Sequence, residues 1–222
     1  NGMLERVRKQ RDTLNRSDPA YDGKLAFYDA EEEVCVGVLV FAERYRRLEK
    51  KMAVQEKDPC RKVELTAISR VLARVPAQPA SSFHEALQMV WLMQLIPQIE
   101  SNGFSISLGR LDQYCWPYLK ADLAAGTITL EQAQELLDLL WLKFCEILRV
   151  DSRDAAEVNA GYYVAGQNIE VGGVDRGGHD CTNLLSYLCL NANRHIQLHQ
   201  PNFTIRLHAG TPQEFLDHAV GS

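Results

Sequence analysis

A short polar stretch carries the residues most able to do chemistry in this chain. Ser105, Ser107, Arg110 and Asp112 follow directly on the apolar segment 86–99. Hydroxyl, guanidinium and carboxyl groups that become buried must find hydrogen-bond partners, so a polar loop beside a buried element is where a binding site is expected. By themselves these residues indicate such a loop, residues 101–108, and no particular reaction. We call it the polar loop.

The order of residues in this stretch matches a known pattern. Segment 102–114 reads Asn-Gly-Phe-Ser-Ile-Ser-Leu-Gly-Arg-Leu-Asp-Gln-Tyr. It resembles the loop Asn-Gly-His-Ser-Ile-Ser-x-Gly-Arg-x-Asp-Gln-Tyr of the glycyl radical enzymes, the family of pyruvate formate-lyase, the diol dehydratases and choline trimethylamine-lyase. Further family blocks follow in order at 167–190 and at 200–215. Because several long blocks match in sequence, the resemblance covers nearly the whole chain.

The resemblance implies an enzyme of which this chain is one section. Glycyl radical enzymes remove a hydrogen atom from substrate through a cysteine thiyl radical, which a backbone glycyl radical generates. The family's Gly-Cys-x-Glu loop and Arg-Val-x-Gly-Tyr loop do not occur in the 222 residues. We therefore expect both beyond Ser222 and assign no catalytic residue within the chain. The isolated chain is predicted to be inactive.

The resemblance also implies which residues bind substrate. In the dehydratase branch, the histidine and serine of the loop bind substrate hydroxyls, and here these positions are Phe104 and Ser105. A phenyl ring cannot match the hydrogen bond of an imidazole, but it can pack on an apolar group or face a cation. This counts against a glycerol or propanediol dehydratase, and leaves open an ammonium-bearing, sulfonate-bearing or cyclic substrate. Tyr163 is the third expected contact, because segment 161–163 resembles a family segment that contributes a tyrosine and Tyr163 keeps the family's distance to Gln167.

Three further residues are weaker candidates. Tyr162 is the alternative to its neighbour as the pocket tyrosine. Arg110 and Asp112 are expected to hold the polar loop together as a buried pair or network, although a guanidinium fork would suit an anionic substrate group.

Composition argues against several other functions. A net charge of −5 and a pI near 5.7 give no electrostatic case for binding nucleic acid or an anionic membrane. The apolar run 86–99 is too short for a membrane span and is interrupted by three glutamines. Six cysteines lack the spacing of a zinc site, a redox pair or a secreted disulfide framework, and Cys35, Cys145 and Cys189 fit reduced core thiols. Six histidines lack ligand spacing, so no metal is expected.

The elements that must position these residues are mainly helical up to residue 150. Apolar residues at three- and four-residue spacings predict one long amphipathic helix over 27–55, and a charged helix is predicted over 3–15. A further helix is predicted from Thr129 to about Arg149, with Leu137, Trp141 and Leu148 on its buried face. Helix starts are predicted from capping signals at Asp58-Pro59, Ser82 to Glu85, Thr129 to Gln132, and Thr211 to Glu214.

Beyond residue 150 the pattern changes. Segments 169–171 and 203–207 alternate apolar and polar residues as strands do, and 182–193 between them reads as a helix. A unit of two parallel strands with a crossover helix is therefore predicted. The predicted fold class is α/β, with a helix-rich part over 1–150 and a partial set of parallel strands over 151–222. The resemblance implies that these strands belong to the α/β barrel of the family, and that 1–222 is one partial domain.

The resemblance thus predicts a section of a glycyl radical lyase that cleaves a C–O, C–N or C–S bond of a small molecule. Two alternatives remain open: C–C cleavage of the formate acetyltransferase type, and a non-catalytic scaffold or interaction module that retains part of the fold. The family implies no bound cofactor here and a glycyl radical installed by a radical-SAM activating enzyme. It also implies a cytoplasmic homodimer with neither nucleic acid nor membrane as partner.

Overall fold

The computed structural model describes residues 2–102, 105–147, 152–158 and 166–221. Contacts divide the chain into two units, residues 1–80 and 81–222. The division expected near residue 150 concerns secondary structure and remains a prediction, as does the assignment of the whole chain to one partial domain.

Residues 2–80 of the first unit form three helices: α1 (Gly2–Asp12), α2 (Tyr21–Gln55) and α3 (Pro59–Arg74). The long helix predicted over 27–55 is confirmed and begins six residues earlier. The predicted start of α3 is confirmed too, because the Asp58 carboxylate accepts a hydrogen bond from the Cys60 N–H and Pro59 is the first helical residue. Ion pairs from Arg8 and Arg11 to Glu32 join α1 to α2.

The second unit combines helices with a small parallel sheet. Among its described residues, three strands pair in the order β1, β2, β3, and both pairings are parallel. The predicted α/β class with parallel strands is confirmed. The elements are α4 (Phe83–Glu100), β1 (Gly109–Arg110), α5 (Leu111–Tyr114), α6 (Trp116–Ala125), α7 (Leu130–Cys145), α8 (Arg153–Val158), β2 (Asn168–Gly172), α9 (Leu184–Ile196), β3 (Asn202–Arg206) and α10 (Gln213–Val220).

The two faces of the sheet differ in polarity, as the alternation in sequence requires. Ile169 and Val171 are fully buried. Phe203, in register with Ile169, lies near Trp141 of α7, with the two rings tilted and their centroids 6.3 Å apart. The opposite face is polar. There the Thr204 hydroxyl donates to the Asn168 side chain at 2.9 Å. Arg206 and Glu170 form an ion pair at 2.6 Å on the same face.

Helix α7 supplies much of the core beneath the sheet. Leu137, Leu140, Trp141 and Phe144 are buried, as the apolar periodicity predicts. Its N-terminus has the predicted capping box at Thr129, while its predicted continuation to Arg149 lies outside the described residues.

The other two predicted capping boxes are incomplete or wrong. The Ser82 hydroxyl accepts from the Glu85 N–H as predicted, but the Glu85 carboxylate accepts from the N–H and hydroxyl of Ser81 rather than returning to Ser82. At α10, Pro212 occupies the cap position and no side chain caps the helix. The Thr211 hydroxyl is used elsewhere, since it accepts from the His208 N–H.

Helix α4 leads into the polar loop and is apolar on most of its surface. Two glutamines, Gln94 and Gln98, are nevertheless buried on it. Within the described ranges, no helix combines the length and hydrophobicity needed to cross a membrane.

We predict that the capping box of α7 stabilises the second unit measurably. Thr129→Ala removes the hydroxyl that accepts from the Gln132 N–H and should lower the free energy of unfolding by about 1 kcal/mol. Thr129→Ser retains an equivalent hydroxyl and is the matched control. Urea denaturation of the purified chain measures both changes. Equal losses for alanine and serine would show that the cap contributes nothing.

Candidate functional site

The polar loop is fixed at its C-terminal half. The Ile106 carbonyl accepts from the Gln94 carboxamide at 2.8 Å. The Leu108 N–H donates to the Asn168 carbonyl at 2.9 Å, and the Leu108 carbonyl accepts from the Tyr114 hydroxyl at 3.1 Å. The loop is therefore attached to helix α4 on one side and to strand β2 on the other.

Ser105 is exposed and has an unusual backbone conformation. Its φ is +54°, in the left-handed region that non-glycine residues seldom occupy. It lies directly against Gly166, whose φ is +65°: a Cβ placed on Gly166 would be 2.7 Å from the Ser105 Oγ. Costly backbone angles persist where the surrounding structure enforces them, and such positions cluster at functional sites. Ser105, the predicted contact residue, is thus held against Gly166, which comes three residues after Tyr163 in the chain.

The remaining predicted substrate contacts cannot be placed. Phe104, Tyr162 and Tyr163 lie outside the described residues, so their roles stay predictions. The contact between Ser105 and Gly166 brings the polar loop to the start of the described segment 166–221.

Asp112 is completely buried and joins three elements. Its Oδ2 accepts from the Gly172 N–H at 2.8 Å and from the Ser186 hydroxyl at 2.6 Å, while its carbonyl accepts from the Asn183 carboxamide at 3.1 Å. Burial raises the pKa of this carboxyl group, and the hydrogen bonds from Gly172 and Ser186 oppose the rise. Its contacts tie α5 to the end of β2 and the start of α9. The expectation that Asp112 and Arg110 together hold the polar loop stays a prediction.

Arg110 occupies the polar side of β1, in register with Glu170. Its Nη1 donates to the Val174 carbonyl at 2.9 Å, whereas its Nε and Nη2 are buried and find no acceptor among the described residues. No hydrogen bond joins it to Asp112 in the described part of the chain. The side chains of Arg110 and Arg206 both lie against Gly173. Whether Arg110 contacts substrate stays a prediction.

Sequence reasoning missed a buried glutamine cluster. The Gln94 carboxamide donates to the Gln167 Oε1 at 3.0 Å, and the Gln200 Oε1 accepts from the Gln167 N–H at 3.1 Å. All three residues are buried. In the sequence, Gln167 and Gln200 stand out only as positions within the family blocks, and Gln94 only as an interruption of an apolar run. That interruption is the available signal, because a polar residue inside a buried helix requires partners.

Burial makes the buried cysteine thiols less acidic than usual. All six cysteines are free, and Cys115 and Cys189 are buried. Burial raises the pKa of Cys115 to about 12 and that of Cys189 well above its usual value, so both remain protonated. The core position expected for Cys189 is confirmed, whereas Cys35 and Cys145 are only partly buried. Within the residues that the structure describes, no group of three or more histidine, cysteine, aspartate or glutamate side chains could hold a metal ion.

Comparisons with known proteins agree with this fold. The family model described as Pyruvate formate lyase-like matches residues 1–221. Isethionate sulfite-lyase from Nitratidesulfovibrio vulgaris is 37% identical over 195 residues, which are 87% of this chain and 23% of that protein. (2S)-3-sulfopropanediol dehydratase from Klebsiella oxytoca is 33% identical over 214 residues, or 96% of this chain and 26% of that protein.

A solved structure shows the same similarity in three dimensions. It concerns 1,2-propanediol dehydration in Roseburia inulinivorans and superposes with a TM-score of 0.94 at 40% identity, over 99% of this chain and 28% of that one. The chain therefore spans about a quarter of the length of the relatives that it matches.

We predict an energetic coupling between Ser105 and Gly166. Gly166→Ala should lose about 1–2 kcal/mol for its left-handed backbone and also displace the Ser105 hydroxyl. Gly126→Ala is the matched control, since its φ is also +65° but its Cβ would meet open space. Combined with Ser105→Ala in double-mutant cycles, Gly166→Ala should be less damaging than the sum of the single changes, while Gly126→Ala should be additive. Additivity in both cycles, measured by urea denaturation, would contradict the contact.

We predict that Asp112 makes stability depend on pH. Its folded pKa is raised above the ordinary 3.8, so its contribution is fully present below the unfolded pKa and is lost as pH rises through the folded pKa. Asp112→Asn keeps an acceptor for Gly172 and Ser186 but does not titrate. The variant should therefore gain stability relative to the wild type as pH rises from about 4 towards 7. Parallel unfolding free energies of the two proteins across this range would refute the prediction.

Proposed function

Because the chain belongs to the pyruvate formate lyase-like family of glycyl radical enzymes, we propose that the whole protein is a lyase that cleaves a carbon–heteroatom bond of a small molecule. The observation that carries this proposal is the family match over residues 1–221. Its relatives include a sulfite-lyase and a dehydratase, whose names describe the loss of sulfite and of water. A C–O or C–S bond is therefore the first choice for the bond that breaks.

The radical chemistry is proposed to reside outside this chain. A glycyl radical, when present, supplies the ability to abstract a hydrogen atom from substrate through a cysteine thiyl. The residues of this chain have the other tasks of a lyase: they bind the substrate, fix its orientation and keep water from the reacting carbon. A loop attached to both a helix and a strand suits this purpose, because binding groups are effective when their supports are rigid.

The substrate contacts that we propose are Phe104, Ser105 and Tyr163. Ser105 would bind a substrate hydroxyl through its own hydroxyl, and Phe104 would pack on an apolar part of the substrate or face a cation. The exposure of Ser105 and its enforced backbone conformation support the first assignment. Tyr163, with Tyr162 as the alternative, would add a phenolic hydroxyl from the segment that precedes Gly166.

The names of the relatives bear on the charge of the proposed substrate. Two relatives act, by their names, on isethionate and on a sulfopropanediol, which carry a sulfonate, whereas the solved structure concerns a neutral diol. The phenyl ring at position 104 argues against a neutral diol. Arg110 is a candidate for binding an anionic group only on a substrate long enough to extend from Ser105 to the turn after β2. Asp112 is proposed to have a positioning role rather than to touch substrate, because it is fully buried within its own network.

We further propose, from the family resemblance, that a radical-SAM enzyme installs the glycyl radical and that the whole protein is a cytoplasmic homodimer. The experiment is anaerobic incubation of the whole protein with a cognate activating enzyme, followed by electron paramagnetic resonance. Isethionate, a sulfopropanediol and 1,2-propanediol are then offered in turn. A carbon-centred radical together with turnover of one of them supports the proposal, and a whole protein that forms no radical would refute it.

We predict that Phe104 and Ser105 both affect catalysis in the activated whole protein. Phe104→His places an imidazole where an apolar contact is proposed and should cost about 1–3 kcal/mol in apparent transition-state binding if the ring is left unpaired. Ser105→Ala removes a hydroxyl contact and should cost about 0.5–1.5 kcal/mol. Ser107→Ala, at an exposed serine two residues later, is the matched control.

The measurement is kcat/KM, divided by the glycyl radical content of each preparation so that a defect in activation is not read as a defect in binding. Normalised values for Phe104→His and Ser105→Ala that equal those of the wild type and Ser107→Ala would show that the polar loop only supports the fold.

A further inference from the structure

Helix α4 carries two buried glutamine carboxamides that differ in their hydrogen bonding. Gln94 and Gln98 are each only 2% exposed. The Gln94 carboxamide donates to the Ile106 carbonyl and to Gln167. In contrast, neither the Oε1 nor the Nε2 of Gln98 has a hydrogen-bond partner within the described part of the chain. Burying a carboxamide without replacing its hydrogen bonds to water is unfavourable. An unpaired buried carboxamide therefore indicates a missing partner.

The position of Gln98 points to where that partner belongs. Residues four apart lie on the same face of a helix, about 6 Å along its axis. Gln98 is therefore one turn beyond Gln94, towards the end of α4 at Glu100. Ile106, which follows the helix end, lies beside Gln94. Gln98 thus occupies the stretch of α4 between that contact and the point where the polar loop begins.

Two described residues of the polar loop have backbone conformations in the left-handed region. Asn102 has a φ of +55° and Ser105 a φ of +54°. Asparagine tolerates the left-handed region, whereas serine does so less readily. An unpaired buried carboxamide and a strained backbone thus occur within the short stretch of sequence from Gln98 to Ser105. Both features are expected near a site where a ligand completes the hydrogen bonding.

We infer that Gln98 is a substrate-binding residue that holds a hydroxyl group of the substrate. This inference rests on the proposed function and adds a contact from helix α4. A carboxamide offers one acceptor oxygen and one donor NH₂ group, and an alcohol hydroxyl both accepts and donates, so the two satisfy each other. A sulfonate or carboxylate could use only the NH₂ group and would face the carbonyl oxygen unfavourably. Gln98 therefore selects the hydroxyl end of a substrate rather than an anionic end.

The test compares Gln98→Met with Gln94→Met in the whole protein before activation. Methionine is unbranched and of similar length but cannot replace the hydrogen bonds of a carboxamide. Without ligand, Gln98→Met should keep or raise the Tm, because it removes an unpaired polar group. Gln94→Met should lower the Tm, because it leaves the Ile106 carbonyl and the Gln167 carboxamide oxygen without their donor.

Binding of 1,2-propanediol, glycerol and isethionate, which share a hydroxyl group, is then measured by calorimetry on the same unactivated proteins. At least one probe should bind the wild type, and Gln98→Met should weaken its Kd at least tenfold. After activation, kcat/KM at equal radical content should fall at least tenfold as well.

Each other outcome has a distinct meaning. A Kd for Gln98→Met equal to that of the wild type would overturn the inference, as would a wild type that binds none of the three probes. A loss of Tm as large as that of Gln94→Met would assign Gln98 to the scaffold and overturn it too. If the wild type binds a probe but forms no radical and turns over nothing, the proposed function fails, while the binding comparison still decides the role of Gln98.

Discussion

The second unit depends on the hydrogen bonds of one buried residue, Gln167. Its Nε2 donates to the Phe144 carbonyl at the end of α7, and its Oε1 accepts from Gln94 on α4. Its backbone N–H donates to the side chain of Gln200, two residues before β3, and its carbonyl accepts from the N–H of Asn202, the first residue of β3. Because buried polar groups must be paired, these bonds restrict how two helices and two strands can be arranged.

The candidate site is built outward from the same residue. Gly166 immediately precedes Gln167 and lies against Ser105, while Asn168 immediately follows it and holds the Leu108 N–H. Gln94 in turn holds the Ile106 carbonyl. Gly166, Gln167 and Asn168 therefore all fix the polar loop. Gly166 and Asn168 contact it directly, and Gln167 acts through Gln94. A change at Gln167 should disturb the site and the core together, whereas a change at Ser105 should disturb the site alone.

Much of the fold could be predicted because its signals are local. Periodicity predicts helices α2 and α7 and strands β2 and β3. The cap at Thr129 is predicted from two residues that lie three positions apart. Strand β1 could not be predicted: it has two residues, and its existence depends on pairing with β2 some 60 residues later. The capping box predicted at Thr211 is wrong, because the Thr211 hydroxyl accepts a hydrogen bond from the His208 N–H instead. In the candidate site, the family pattern predicts Ser105 as a contact. The interruption of an apolar run by Gln94 indicates that this side chain needs a partner, but not which one, because Gln167 lies far along the chain.

The geometry of β2 also separates the candidate contacts. Ser105 lies against Gly166, before the strand, whereas the Arg110 guanidinium bonds to Val174, after it. A five-residue strand spans about 13 Å between its first and last Cα atoms. A substrate of two or three carbons covers only a fraction of that length. If such a substrate binds at Ser105, it does not reach the Arg110 guanidinium, which then serves to hold the turn after β2. An anionic group on that substrate would have to be bound by residues other than Arg110.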